Sequence, residues 1–387
     1  MTTTHPFPTD SISLPSLYPR KYLNLRALRR VGCLMLVMPW AIAGLFVLFI
    51  SVLSPPLSSG EPKPFPEGFM KGISYESWWN GEFASLNSER TLNEIVLPSG
   101  AEWLAVIVKC FQETRVSTDI RCLHDQATAT DDELRHLIRH ARGLGLKVML
   151  KPHVDLLDAM SLAGGRHTIG FGSDEEAWAA WFGNYTRFIT HYAALAQELG
   201  VEYFVVGTEL QGTVHREDKW RAVIGEVRAV YDGPLTYAAL TYLEPLQIRW
   251  WDALDAIGID AYYLLTLTNN PTVAQMKLGW MPLTAYLGWL SDHWNKPIII
   301  TEAGYMSVDG TNMQPGEWSL RGTLDHQEQA DAYQALFEAL HGQDWWQGIF
   351  WWSLSTDPNQ GGVNDHGYSF HDKPAEAVLS RYFGGGA

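Results

Sequence analysis

The chain lacks the motifs that mark several large enzyme classes. It contains no G-x-S-x-G turn, no P-loop, no glycine-rich dinucleotide fingerprint and no HExxH pair. Those motifs carry, in turn, a nucleophilic serine, a phosphate cradle, a cofactor pyrophosphate site and a zinc site. Their absence argues against α/β-type serine hydrolases, P-loop nucleotide hydrolases, dinucleotide-dependent oxidoreductases and zinc proteases.

Cysteine is also scarce, with three in 387 residues. They do not form a cysteine cluster of the kind that binds a metal. Cys33 lies within a long apolar run, whereas Cys110 and Cys122 lie in the main body. An oxidising, exported compartment would allow Cys110 and Cys122 to pair if their geometry suits, and the alternative is two separate buried thiols.

Charged residues are absent from Val31 to Leu53. At about 1.5 Å per residue, a helix of this length crosses a hydrocarbon core of roughly 30 Å. Five basic residues precede the run, while the residues after it carry no charge up to Gly60. This bias predicts a membrane anchor with a cytoplasmic N-terminus and an extracytoplasmic body.

A cleaved signal peptide, which would yield a secreted protein, is the alternative interpretation of this run. Signal peptides have shorter apolar parts and a small-x-small cleavage site, and Ser51–Ser54 followed by Pro55 is a poor one. We therefore predict four segments. They are a cytoplasmic basic N-terminus (1–30), a transmembrane anchor (31–53), a Pro/Ser-rich linker (54–68) and a catalytic domain (69–387).

The net charge of the chain is −15, and the body is more acidic still because residues 1–65 are basic on balance. An acidic body repels nucleic acid and anionic membrane surfaces. We expect no nucleic-acid partner. The oligomeric state is left open by the sequence.

The body alternates short β-rich runs with amphipathic helical stretches, a pattern typical of a parallel sheet with crossover helices. Helices are predicted at Asp131–Leu144, with a Thr130 and Glu133 capping box, at Ser173–Leu199 and at His326–His341. Eight strands are predicted: Lys71–Ser77, Trp103–Phe111, Lys147–Val154, Tyr203–Glu209, Leu235–Leu240, Ala256–Tyr262, Pro297–Tyr305 and Gly348–Leu354. The predicted fold class is α/β, as a single (β/α)₈ TIM barrel after a transmembrane helix.

Two carboxylates stand where such a barrel has its active site, at the carboxyl ends of strands. Glu209 ends the fourth predicted strand and Glu302 lies near the end of the seventh. Each follows an apolar run that would bury it, which is costly unless the group is ion-paired or functional. Either alone could be an ion-paired barrel residue, but two on opposed strands match the carboxylate pair of a retaining glycosidase.

The segments around these residues resemble glycoside hydrolase family 113. They include Gly207-Thr208-Glu209-Leu210, Thr301-Glu302-Ala303-Gly304-Tyr305, and the runs from Leu146 to His153 and from Gly348 to Trp352. The family is a clan A group of (β/α)₈ β-mannanases. The resemblance implies that Glu209 is the acid/base and Glu302 the nucleophile. Thr208 departs from the wider clan, many of whose members have Asn before the acid/base, where it contacts the sugar 2-hydroxyl.

Aromatic side chains at strand ends support a sugar site, because pyranose faces stack on aromatic rings. Tyr75, Trp78, Tyr262 and Trp352 are predicted substrate contacts. Trp351 is the alternate to Trp352, because strand parity is uncertain by one residue. Tryptophans on helices or at helix ends are assigned to core packing, namely Trp178, Trp289 and Trp346.

The polar candidates are His153, Thr208 and Asp260. A metal pair at His153 and Asp155 is conceivable, but a third convergent ligand is not evident, so hydrogen bonding to sugar hydroxyls is favoured. Asp260 is either a sugar contact or a structural ion-pair partner. We expect no metal and no organic cofactor.

The resulting hypothesis is a retaining glycoside hydrolase that cleaves β-mannosidic linkages in mannan or manno-oligosaccharides by double displacement. The first alternative is a retaining β-glycosidase of other sugar specificity. The second is a non-catalytic, membrane-tethered component for glycan binding or polysaccharide export. A binding module has no need for a buried acid beside a buried base, which favours an enzyme.

Overall fold

The computed structural model describes residues 64–158 and 165–385. Eight parallel strands pair in chain order and close into a barrel. The strands are β1 (Met70–Glu76), β2 (Trp103–Gln112), β3 (Lys147–Leu156), β4 (Tyr203–Thr208), β5 (Leu235–Leu240), β6 (Ile257–Asp260), β7 (Ile298–Ala303) and β8 (Trp346–Ser355). The predicted (β/α)₈ barrel is confirmed, with every predicted strand end within two residues of the observed one.

Helices follow the strands on the outside of the barrel. They are α1 (Leu86–Thr91), α2 (Asp131–Gly143), α3 (Glu175–Leu199), α4 (Glu217–Arg228), α5 (Glu244–Gln247), α6 (Val273–Trp294), α7 (His326–Leu340) and α8 (Pro374–Phe383). The capping box of α2 is present, because Thr130 accepts from the Glu133 N–H and Glu133 accepts from the Thr130 N–H. Such reciprocal capping satisfies N–H groups that have no partner inside the helix.

Both faces of the sheet are buried, which explains why the strands read as apolar runs rather than as an alternating pattern. Along β2, Trp103 and Ala105 face the barrel interior, whereas Leu104 and Val106 pack against the helices. Phe350 fills part of the interior, where a Cβ on Gly72 would lie 2.2 Å from its ring. The barrel is therefore a packed core, and its polar groups concentrate at the carboxyl ends of the strands.

The predicted anchor (31–53) and the first part of the linker lie outside the described residues. No helix within 64–158 and 165–385 combines the length and the apolar character needed to cross a membrane.

Cys110 and Cys122 form a disulfide, with their Cα atoms 4.3 Å apart. Cys110 lies in β2, and the antiparallel bridge between Phe111 and Arg121 brings the two cysteines side by side. Of the two alternatives that the sequence left open, the structure has the bridge.

We expect this disulfide to protect both thiols in the exported protein. In denaturant without reductant, an alkylating reagent should modify Cys33 alone, and reduction should expose two further sites. Peptide mass mapping identifies the modified residues, with Cys33 as the internal positive control. Alkylation of all three cysteines before reduction would show that the bridge does not form.

Candidate active site

Three carboxylates meet at the carboxyl ends of β4, β6 and β7. Glu209 directly follows β4, Asp260 ends β6 and Glu302 lies in β7. Each offers an oxygen within 4.8 Å of an oxygen of the other two. Asp260 is fully buried and Glu302 nearly so, whereas the Glu209 side chain is 18% exposed. Three acids this close cannot all be ionised without compensating positive charge.

Lys151 supplies that charge from inside the barrel. Its ammonium group donates to Oε1 of Glu302 and lies 3.1 Å from Oδ1 of Asp260. The Lys151 side chain is fully buried. Burial lowers its pKa, but the charges of Asp260 and Glu302 outweigh this and the net pKa is raised. Lys151 therefore remains a cation.

The second oxygen of Glu302 accepts from the hydroxyl of Tyr262, at 2.7 Å. Both Glu302 oxygens thus accept hydrogen bonds. The pKa of Asp260 is raised well above its usual range, first by burial and then by the charge of Glu302, and Lys151 only partly offsets this.

Glu209 stands in a different environment. Burial is the largest influence on its carboxyl group and raises its pKa, and the charge of Glu302 raises it further. Arg166 acts in the opposite direction, with its Nη1 atom 3.6 Å from Oε2 of Glu209. The Glu209 carboxyl group is thus biased toward its protonated form, whereas both oxygens of Glu302 accept hydrogen bonds.

The family model described as Glycoside Hydrolase Family 113 matches residues 74–373 of this chain. The chain belongs to that family. It is therefore a glycoside hydrolase.

Solved structures of family 113 are similar to the described fold over most of the chain. A solved GH113 β-1,4-mannanase is 31% identical, with a TM-score of 0.74, and the match covers 82% of this chain and 99% of that one. The GH113 β-mannanase AaManA from Alicyclobacillus acidocaldarius is 28% identical, with a TM-score of 0.72, and the match covers 83% and 99%.

More distant structures share the fold alone. A β-glucuronidase from Ruminococcus gnavus is 10% identical, with a TM-score of 0.54, and the match covers 81% of this chain and 50% of that one. No protein of curated function matches the chain.

In this family 113 chain, His153 is almost fully buried beside Glu302, and its Nε2 lies 3.9 Å from Oε1 of that residue. Nδ1 faces Nη1 of Arg166 at 3.1 Å. A guanidinium group can only donate, so Nδ1 accepts and the ring proton is on Nε2. Burial, and then the charge of Arg166, lower the pKa of His153 and keep it neutral. Nε2 has no partner among the described residues, which leaves an N–H aimed into the site.

Arg166 also pairs with Asp155, at 2.6 Å. Asp155 and His153, considered above as a metal pair, are therefore both engaged by a guanidinium group. The acids Asp260 and Glu302 are likewise spanned by the Lys151 ammonium. The positions that a metal would take among these donors already hold fixed cationic side chains, which does not fit a resident metal.

The two neighbouring tryptophans of β8 point to opposite faces of the sheet, as consecutive residues of a strand do. Trp352 is partly exposed and lies parallel to His153, with ring centroids 6.4 Å apart. Trp351 is fully buried and stacks on Tyr333 in the helical layer, at 3.6 Å. Of the two, only Trp352 borders the site. Its role as a sugar platform stays a prediction.

The remaining predicted contacts differ in their placement. Trp78 follows β1 and is 58% exposed, with the Lys109 ammonium 4.0 Å from its ring centroid. Thr208 precedes Glu209 and is buried, and its Oγ1 has no partner among the described residues. Asp260 has the ion-pair role that the sequence left open, since Lys151 and Thr301 both donate to it.

Two sequence assignments need correction. Tyr75 does not reach the site, because it faces the helical layer, stacks on Phe83 and is hydrogen-bonded to Ser88. Its neighbours along β1 point inward, so the predicted substrate contact was one residue out of phase. Trp289 was assigned to the core but is 52% exposed, whereas the assignments of Trp178 and Trp346 are confirmed.

Sequence reasoning missed Lys151 and Arg166 as site residues. Lys151 had a visible signal, since it interrupts the apolar run of β3 and a lysine there is buried at great cost unless it is paired. Arg166 lies in a short 3₁₀ turn between β3 and α3, where nothing in the local pattern marks it.

Proposed function

We propose that the protein hydrolyses β-mannosidic linkages in mannan or manno-oligosaccharides with retention of configuration. The observation that carries this proposal is the spacing of Glu209 and Glu302, which have carboxylate oxygens within 4.8 Å of each other. Retaining enzymes place the two carboxyl groups about 5–5.5 Å apart, and inverting enzymes need about 6.5–9.5 Å to admit a water. The spacing of Glu209 and Glu302 is closer to the retaining arrangement, which supports retention.

In the proposed mechanism Glu302 attacks the anomeric carbon while Glu209 gives its proton to the leaving oxygen. Lys151 and Tyr262 each donate to one oxygen of Glu302 and orient it for attack. The deprotonated Glu209 then takes a proton from water, which hydrolyses the glycosyl ester on Glu302. Each carboxyl group returns to its starting state.

The choice of mannose rests on family membership and on the two similar structures described as β-mannanases. We propose that Trp352 stacks on a sugar ring and that His153, Thr208, Tyr262 and the rim residue Trp78 contact the substrate. The unpartnered Nε2–H of His153 and hydroxyl of Thr208 are the groups best placed to bind sugar hydroxyls. We propose no direct substrate contact for Asp260, which instead positions Lys151 beside Glu302.

A panel of β-mannan, β-glucan and xylan oligosaccharides tests this function. We expect products from β-mannan alone, identified by mass, with the β-anomer formed first in NMR spectra. Cleavage of β-glucan or xylan in preference to mannan would favour another β-glycosidase specificity. Initial formation of the α-anomer would contradict retention, and hydrolysis of none would favour a glycan-binding role.

Lys151 offers a test of the charge arrangement around Glu302. In Lys151→Met, Asp260 and Glu302 lose the cation between them, so we expect the free energy of unfolding to fall by about 3–5 kcal/mol. Oε1 of Glu302 also loses the donor that orients it for attack, so kcat/KM on manno-oligosaccharides should fall by about 10- to 100-fold.

The control for Lys151→Met is Lys109→Met. Lys109 pairs with Glu76 at 3.0 Å and is also largely buried, but it does not contact Glu302. Its loss should lower stability and change kcat/KM far less than the loss of Lys151. An unchanged kcat/KM in Lys151→Met would show that Lys151 does not orient the nucleophile.

We further propose that residues 31–53 anchor the enzyme in a membrane, with the catalytic domain on the extracytoplasmic side. The support is the uncharged run and the basic residues before it.

The intact protein should fractionate with membranes, resist extraction by high salt and be released by detergent, because an apolar segment rather than surface charge holds it. Immunoblotting of the fractions measures this. A soluble mature chain that begins near Pro55 would instead support cleavage and secretion.

A further inference from the structure

The turn that carries Glu209 has a backbone conformation that needs support. Glu209 has a φ of +53°, in the left-handed region that residues other than glycine seldom adopt. Such conformations persist only where the surrounding structure holds them, and they concentrate at functional sites. The Glu209 N–H donates to the carbonyl of Ala238 on β5, at 2.8 Å. The N–H of the next residue, Leu210, is held by a different group.

A buried chain of hydrogen bonds holds that peptide from the outer side of the barrel. The N–H of Leu210 donates to the hydroxyl oxygen of Tyr237, at 2.7 Å. The Tyr237 hydroxyl donates to Oε1 of Glu244, at 2.5 Å. Oε2 of Glu244 in turn accepts from the N–H of Leu240, at 2.6 Å. Tyr237 and Glu244 are both fully buried.

Glu244 places a carboxyl group in a fully buried position. It is a buried carboxyl group with no ion-pair partner in the part of the chain that the structure describes. Burial raises its pKa to about 8, against the hydrogen bonds from Tyr237 and Leu240. A polar group buried in this way costs stability, and Glu244 accepts hydrogen bonds from Tyr237 and from Leu240 at the end of β5.

The close packing around Tyr237 is consistent with this chain of hydrogen bonds. A Cβ on Gly207 would lie 2.7 Å from the Tyr237 ring. Because Gly207 has no side chain, the Tyr237 ring can approach the turn closely. Its hydroxyl oxygen can then accept from the N–H of Leu210. Trp220 and Trp250 pack edge-on against the Tyr237 ring and restrict its movement.

We propose that Tyr237 and Glu244 are positioning residues for Glu209. By fixing the N–H of Leu210, they hold the left-handed backbone of Glu209 and so aim its carboxyl group at the leaving oxygen. Neither residue reaches the substrate. This inference rests on the proposed function, in which Glu209 is the general acid.

The test is Tyr237→Phe, which removes the hydroxyl and keeps the packed ring. Misplacement of a general acid harms substrates with poor leaving groups and spares those that need no proton. We expect kcat/KM on manno-oligosaccharides to fall by about 10- to 100-fold. On a manno-oligosaccharide glycoside with a dinitrophenol leaving group it should change less than about threefold.

Tyr231→Phe is the matched control. The Tyr231 hydroxyl is also buried and donates to a backbone carbonyl next to β4, that of Val201, at 2.9 Å. Its removal should leave the ratio of the two kcat/KM values unchanged. Glu244→Gln keeps the side-chain volume but places an amide group against one of the two donors. Glu244→Gln should change the ratio of the two kcat/KM values in the same direction as Tyr237→Phe. It replaces Tyr237→Phe as the test if that variant does not fold.

An equal loss on both substrates, or no loss on either, would overturn the positioning role. These outcomes are distinguishable from a failure of the proposed function. If Glu209→Ala itself shows no dependence on the leaving group, the acid/base assignment is at fault. If Glu209→Ala shows that dependence and neither Tyr237→Phe nor Glu244→Gln does, only the positioning role is wrong.

Discussion

Glu302→Ala should abolish turnover on every substrate, with a loss of about 10⁴-fold or more. The proposed reaction passes through an ester on Glu302, so neither good nor poor leaving groups can avoid the missing nucleophile. The residues around the gap, Lys151 and Tyr262, remain in place to bind an anion there. Steady-state rates on manno-oligosaccharides and on activated aryl glycosides measure the loss.

Azide should partly restore the activity of Glu302→Ala. A small anion in the vacated space attacks the anomeric carbon directly, in a single displacement, so the product should be the α-glycosyl azide from a β-linked substrate. NMR of the product distinguishes the anomers. Full activity in this variant would remove Glu302 from the mechanism, and a β-azide would assign it the other role.

Glu209→Ala should show a different pattern, because the acid matters only where the leaving group needs a proton. We expect kcat/KM to fall by about 10²- to 10⁴-fold on manno-oligosaccharides and to change little on aryl glycosides with activated leaving groups. The second step also loses its base, so the glycosyl enzyme should accumulate on activated substrates. A burst of released phenol would record this.

Azide should accelerate turnover of Glu209→Ala by attacking the glycosyl ester in place of water that is no longer activated. Two displacements then give a retained β-azide. If the two variants exchange their azide stereochemistries, the roles of Glu209 and Glu302 are reversed. The pair of variants therefore decides the assignment independently of any rate.

The secondary structure was predictable because its signals are local. Each strand is an apolar run bounded by turns, and the Thr130 and Glu133 capping box begins α2 where the sequence placed it. The bounds were less certain, since strand ends depend on pairing with neighbours. Leu156, for example, belongs to β3 because it pairs with Gln112 of β2.

The alternation of side chains was harder to assign. In strands buried on both faces, the apolar pattern does not mark which residues point inward. This is why Tyr75 was assigned to the site and why Trp351 and Trp352 could not be separated. An error of one residue moves a side chain from the interior to the helical layer.

The sequence by itself determined the alternation of strands and helices, the family resemblance and the position of Glu209 and Glu302 at strand ends, because each of these signals lies in short contiguous segments. Only the tertiary structure decided what surrounds those acids. Lys151 of β3 meets Asp260 of β6 and Glu302 of β7 across the barrel interior, although 109 and 151 residues separate them in the chain. That meeting depends on closure of the sheet and on its register, and no local pattern records a contact between strands that are not neighbours.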